Sequence, residues 1–467
     1  MSISRHTTYN LLSQALPLAV SVITTPIYLR LIGEARFGVL ALIWLFFGYM
    51  GLFDLGLGQG ISRQLSHLSR KSAKLQAQTL NTALWVGLAI GILGALVAIP
   101  LGQWLFVQRL TIEPELRAEL MAALPWAVML IPLATIVSVA NGALVARSAF
   151  GELGIANACS LVLATLAPLL VAAEHHARLP ALLAAVVVAR LVVGLGLLWR
   201  IWHHYRAMRP ALFDRHAAIR LLRFGGWAAV SAAVGPLMVV ADRFAIGAVL
   251  GSRAVSYYVI PFQLAERITL PSSALNQALF PRLSSAGEIE QRALSIFGLR
   301  GLVLWTALPL GAALLLAGPF ISWWISPEFS AHASGPARIL ILAFWINGFA
   351  IVPFTKLLAA GRSDLVAKCH IIELAPYCLV LYFSLNHWGI TGAAIAFAIR
   401  VAGDFIILSF FAGILARAMN TITIPAAFLT AILCTTLYAT AWPLALGILL
   451  AFAGWLALHL HNGAGPR

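Results

Sequence analysis

A small set of charged residues sits inside long apolar runs of this sequence: Arg190, Asp242, Arg243, Glu266, Arg267, Glu373, Arg400 and Asp404, with Arg30 and Asp54 nearer the ends of theirs. An ionised side chain in hydrocarbon costs several kcal/mol, so such residues face a polar cavity, an opposite charge or a ligand. Their types divide the chemistry between them. Arginine stays charged in apolar surroundings and donates through a planar fork that matches phosphate. Arg190, Arg400, Arg243, Arg267 and Arg30 are therefore the candidates for binding an anion such as a pyrophosphate or an acidic sugar. A buried carboxylate can take up a proton or hold a cation, which makes Glu373, Asp404, Asp242, Glu266 and Asp54 the candidates for ion coupling or gating.

The same residues can also be packing pairs that set helix register. Arg400 and Asp404 are four apart on one helix face and can pair within their own span. Asp242-Arg243 and Glu266-Arg267 lie on two antiparallel spans joined at Gly251, and a four-member network across that hairpin is expected. Arg190 lies ~15 Å from the outer end of its span by helical rise. Its half of the chain supplies no deep carboxylate. Arg190 either reaches an acid of the second half, such as Glu373 or Asp404, or stands open to an anion.

Other chemistries lack their residues. The close pairs His175-His176, His203-His204 and His459/His461 have no Cys or acid beside them, so no metal site is expected. Gly56-Leu57-Gly58-Gln59-Gly60 lacks the Lys-Ser/Thr of a phosphate-binding loop and reads as helix termination and close packing. Hydrolytic and nucleotide-binding motifs are missing as well, so the chain is not expected to be an enzyme or to carry a cofactor beyond coupling to protons or sodium. The four cysteines lie in apolar runs at spacings unlike any disulfide framework.

The elements that must position these charges are membrane spans. The sequence has 467 residues, 61% hydrophobic and 10% charged, at a mean hydropathy of +0.92, against about a quarter charged for a soluble domain. Apolar runs between polar breaks fall near 8–32, 37–57, 79–101, 118–140, 153–173, 180–202, 225–250, 254–280, 296–317, 337–359, 366–385, 389–415, 422–439 and 442–460. That is an all-α polytopic protein of about 14 transmembrane helices. With the amino terminus inside, Lys and Arg gather mainly on the cytoplasmic side, so both termini are expected there. The formal charge of +15 is thereby explained without nucleic acid.

Gly33-Glu34-Ala35-Arg36 returns 218 residues later as Gly251-Ser252-Arg253-Ala254, and Leu65-Ser66 returns as Leu283-Ser284 at the same offset. Arg147-Ser148 and Arg362-Ser363 match at 215, and Arg190 and Arg400 at 210. Ordered echoes of this kind mark a duplicated membrane protein with parallel repeats. The expected domains are an amino-terminal lobe of helices one to six over 1–205, a basic cytoplasmic linker over 206–224, a second lobe of helices seven to twelve over 225–418, and an extra helix pair over 419–467.

Pro26, Leu31-Ile32-Gly33, Phe37-Gly38, Phe53-Asp54-Leu55-Gly56-Leu57 and Arg63 resemble the first hairpin of the polysaccharide-transport flippases, within the multidrug/oligosaccharidyl-lipid/polysaccharide superfamily. Asp242-Arg243-Phe244, Ile246-Gly247, Leu250-Gly251 and Tyr257-Tyr258 are similar to that family's seventh span. The resemblance implies two pseudo-symmetric six-helix lobes in a V, plus the C-terminal pair. It implies alternating access that carries a polyprenyl-pyrophosphate-linked oligosaccharide across the bacterial inner membrane for surface polysaccharide. A monomer working among membrane lipid, with a polysaccharide polymerase and a chain-length regulator as partners, is the corresponding expectation. An ion-coupled multidrug or cation exporter of the same superfamily is the first alternative, and a non-transporting envelope-assembly scaffold the second.

Overall fold

The computed structural model describes residues 3–50, 56–68, 73–174, 177–205, 213–219, 221, 240–437 and 442–463. These are helical almost throughout, with no strand among them. In chain order the helices are α1 (Ile3–Met50), α2 (Leu57–His67), α3 (Ala73–Gln103), α4 (Pro114–Ala146), α5 (Phe150–Ala173), α6 (Leu179–His204), α7 (240–249), α8 (Ser252–Glu266), α9 (Leu270–Ser285), α10 (Glu288–Trp324), α11 (Pro327–Ala359), α12 (Ser363–Phe411), α13 (Leu415–Thr436) and α14 (Trp442–Gly463). Among the described residues eight helices are long and apolar enough to cross a membrane, so this is a multi-pass membrane protein. Helices outrun the expected spans by a turn or two at several ends, because an apolar-run reading stops at the first polar residue while the backbone continues to hydrogen-bond.

Two of these helices fold back on themselves. In a straight α1 the rings of Tyr28 and Trp44 would be ~24 Å apart, yet their centroids lie 6.4 Å apart. The chain reverses at Gly33, which has φ 78° and ψ 163°. α12 reverses in the same way at Gly389, with φ 57°, which brings His370 within 3.4 Å of Asp404. A third reversal, at Gly251 with φ 88°, joins α7 to α8. Positive φ is strained for an L side chain and free for glycine. At Gly33 an added Cβ would meet nothing within 4 Å, so backbone conformation rather than space demands the glycine there.

The chain forms two compact units, Met1–Val240 with Gly251–Val255 and Ala241–Leu250 with Ser256–Arg467. Most of the expected basic linker, with the chain up to residue 239, lies outside the described residues. In the first unit α4 is central, packed on α2, α3 and α6, while α5 bridges α1 and α6. Arg36, just past the α1 reversal, donates to both carboxylate oxygens of Glu119 on α4 at 3.1 and 2.7 Å. Glu119 also accepts from the backbone N–H of Leu179 at the start of α6, so one side chain ties three helices together at that end. In the second unit α11 packs on α9, α10 and α12, and α13 and α14 close over α10.

The sequence echo at offset 218 recurs in hydrogen bonding. The amide of Gln76 donates to the carbonyl of Leu68, which caps the C-terminus of α2. The amide of Gln291 donates to the carbonyl of Ala286, which caps α9. The two capping residues are 218 apart and the two glutamines 215, so the drift in offset arises in the loop between them. A run expected as one span over 254–280 is instead broken: α8 ends at Glu266, a 3-10 turn covers Arg267–Thr269, and Pro271 opens α9. Proline lacks the N–H that a continuing helix needs and is accommodated in a first turn.

The glycine-rich segment serves packing, as its composition implies. Gly56 adopts φ 64° ahead of α2, and Gly58 lies against Ser138 and Gly142 of α4. A Cβ on Gly142 would run into the Gly58 carbonyl oxygen and the Ile61 side chain. Gly142→Val is therefore expected to cost about 3 kcal/mol or more, the upper range for overpacking, since backbone cannot swing aside. Thermal unfolding of the detergent-solubilised protein measures it, and an unchanged midpoint would contradict the contact.

Candidate functional site

The second unit buries a polar cluster built on four helical segments: α7, α8 and the two halves of α12. Asp242 on α7 is fully buried. Its carboxylate accepts from the Tyr258 hydroxyl on α8 at 2.7 Å and from the Arg243 backbone N–H at 2.8 Å. Arg243 is itself buried, with its guanidinium carbon 3.6 Å from the centroid of Phe262. Phe262 meets Phe397 of α12 at 5.2 Å, and Arg400 lies over Phe397 at 5.2 Å and over Tyr377 at 5.5 Å. Two guanidiniums thus stand on a shared run of aromatic faces, which attract cations through their negative ring faces.

Beyond Arg400 the cluster turns acidic. Asp404, one turn further along, is buried with an oxygen 3.4 Å from His370 Nε2 across the hairpin. Glu373, one turn after His370, is also buried, and neither of its carboxylate oxygens has a hydrogen-bond partner. Asp404 is the other buried carboxyl of this hairpin, within electrostatic range of Glu373. The Tyr377 hydroxyl is buried and unpartnered, within electrostatic range of Asp242, Arg243 and Arg400.

Several expected pairings are thereby corrected. Arg400 does not pair with Asp404, because their i,i+4 spacing loses to the register of the hairpin: Asp404 meets His370, and Arg400 points at rings. The four-member network is not formed either. Measured from Gly251, Glu266 lies ~9 Å deeper than Asp242 by helical rise, while Tyr258 falls near the right level. Glu266 and Arg267 are exposed where α8 gives way to the 3-10 turn.

In the first unit Arg190 is half-buried on α6, its Nε is buried without a hydrogen-bond partner, and no carboxylate pairs with it among the described residues. Arg30 is exposed on α1, and Asp54 lies outside the described residues. Of the residues singled out from sequence, the structure brings together Asp242, Arg243, Glu373, Arg400 and Asp404. Sequence reasoning missed Tyr258, His370 and Tyr377. A signal existed: His370, Glu373 and Tyr377 recur at helical spacing on one face, opposite Phe397, Arg400 and Asp404 across the Gly389 turn.

A model of the family described as "Polysaccharide biosynthesis protein" matches residues 3–286, more than half of the chain. The chain belongs to that family. It is 26% identical over 409 residues to the "Putative O-antigen transporter" of Shigella flexneri, covering 87% of this chain and 97% of the relative. Its fold is similar to that of the lipid II flippase MurJ in an inward closed conformation, with a TM-score of 0.70 at 12% identity over 98% of this chain and 99% of the other. An inward-facing multidrug-resistance transporter of the MATE family is similar at a TM-score of 0.63 and 14% identity, over 89% and 98% of the two chains. The fold is shared with these membrane proteins, and the all-α class expected from sequence holds.

Proposed function

We propose that this polysaccharide biosynthesis protein flips a polyprenyl-pyrophosphate-linked oligosaccharide repeat unit across the bacterial inner membrane by alternating access. The observation that carries this reading is the near full-length likeness to an O-antigen transporter, joined to membership of the polysaccharide biosynthesis family. The physical task agrees with the residues. A charged sugar headgroup must cross ~30 Å of hydrocarbon while its tail stays in lipid, so the protein must supply buried polar groups that favour an anion. Arg190 offers a guanidinium with no carboxylate paired to it among the described residues, and Arg400 one set against aromatic faces. The flippase reading includes cytoplasmic termini, a monomer, and a polymerase and chain-length regulator as downstream partners.

Deletion of the gene is expected to remove long-chain surface polysaccharide and leave lipid-linked repeat units on the cytoplasmic face, with recovery on re-expression. Surface polymer of normal length and amount in the deletion strain would contradict the proposal.

A further inference from the structure

We propose that Glu373 is a proton-carrying site, with Asp404 and His370 as the pair that sets its charge state; its use in transport rests on the flippase reading above, while its existence does not. Both oxygens of Glu373 are buried and unpartnered. An ionised carboxylate buried without a hydrogen bond or counter-charge in contact is among the most costly arrangements in a protein interior. Asp404 is the nearby acid, and it has a partner: His370 at 3.4 Å. Two carboxyls within interaction range do not both ionise readily. The geometry places the negative charge on Asp404, opposite His370, and the proton on Glu373.

The surrounding groups are accounted for. On its own helical segment Glu373 has Cys369, His370 and Tyr377, and on the returning segment Arg400 and Asp404. α7 and α8 bring Asp242, Arg243 and Tyr258 to the Tyr377 side of the cluster. On α11, which packs along α12, the buried cations are engaged elsewhere: Arg338 donates to the Leu314 carbonyl and Lys356 to the Ala412 carbonyl. α13 carries only Arg417, which is exposed. Asp242 receives Tyr258 and the Arg243 N–H, and Asp404 Oδ1, though without a hydrogen bond, faces His370; Glu373 is the acid of the cluster with both oxygens buried, no hydrogen bond and no ion pair among the described residues.

A metal cation fits this site less well. Sodium-like or divalent ions need several oxygen ligands, and no group of three or more His, Cys, Asp or Glu converges in that way among the described residues. Arg400 and His370 would also repel a cation, whereas a proton needs one lone pair. Loading is a plain transfer: water reaching the site from one face delivers the proton, an O–H bond forms on a Glu373 oxygen as one in hydronium breaks, and neutral water leaves. Release to the other face is the reverse, with no electron transferred.

The test is difference infrared spectroscopy of the full chain in lipid, comparing wild type, E373Q and D404N. The wild type is expected to show the carbonyl stretch of a protonated carboxylic acid at neutral pH, lost in E373Q and displaced to lower pH in D404N, where the neighbouring negative charge is gone. It is expected to fade as pH rises and to be indifferent to sodium at fixed pH. Absence of the band in the wild type, its persistence in E373Q, or its removal by sodium would overturn the proposal. Failure of the flippase reading would show separately, as wild-type vesicles that move no substrate, a result the infrared band does not depend on.

Discussion

Replacing Arg190 by alanine is expected to cut surface polysaccharide about tenfold or more while leaving the protein folded and inserted. Its guanidinium is half-buried in a membrane-spanning helix with its Nε unpartnered and no carboxylate paired to it among the described residues. Such a charge contributes little to stability, so its removal should not unfold the first unit. A charge-assisted contact to phosphate is worth ~1.5–3 kcal/mol, which converts to a loss of about tenfold or more in transport. Arg190→Lys should recover part of the activity, because the charge survives while the two-pronged donor does not. Arg400→Ala should add to the defect, since its guanidinium also has no carboxylate pair. The readout is polymer length and amount on the cell surface, with membrane content of each variant measured alongside. Normal polymer in the double variant would contradict an anion site.

Asp242→Ala should act differently, by destabilising the second unit. The carboxylate is fully buried, accepts from Tyr258 and the Arg243 N–H, and neighbours a buried guanidinium. Its loss leaves the Tyr258 hydroxyl unpaired and removes the negative charge next to Arg243. Removing one member of a buried charged group costs ~3–5 kcal/mol, enough to reduce folded protein in the membrane several-fold. Asp242→Asn, which can still accept from Tyr258, should recover much of it. Equal thermal stability of the alanine variant and wild type, in the same detergent, would show that the cluster does not hold α7 to α8.

How far the sequence could be read follows from which forces decide each feature. Hairpins at Gly33 and Gly251 were legible because a tight reversal between apolar runs needs glycine or its like, while at Gly389 only the break between the runs 366–385 and 389–415 was. The duplication was legible too, and the capping glutamines Gln76 and Gln291 locate where the offset changes. Partner choice inside the cluster was not. Whether Asp242 meets Tyr258 or Glu266 depends on counting residues outward from the turn, and two helical turns of depth decide it. His370 was passed over because it stands alone in sequence. Its partner lies 34 residues on, beside it only once α12 reverses at Gly389.

Flipping of a lipid-linked oligosaccharide by the purified protein in vesicles tests the proposed function most directly. Vesicles loaded on one leaflet with a polyprenyl-pyrophosphate sugar are made with and without the protein, and headgroup arriving on the other leaflet is measured by enzymatic accessibility. Translocation predicts transfer that depends on the protein, is faster under an imposed pH gradient, and falls about tenfold or more in Arg190→Ala. Protein-containing vesicles that leave the sugar lipid where it was loaded, yet expel a cationic dye, would contradict the flippase and make the chain an exporter.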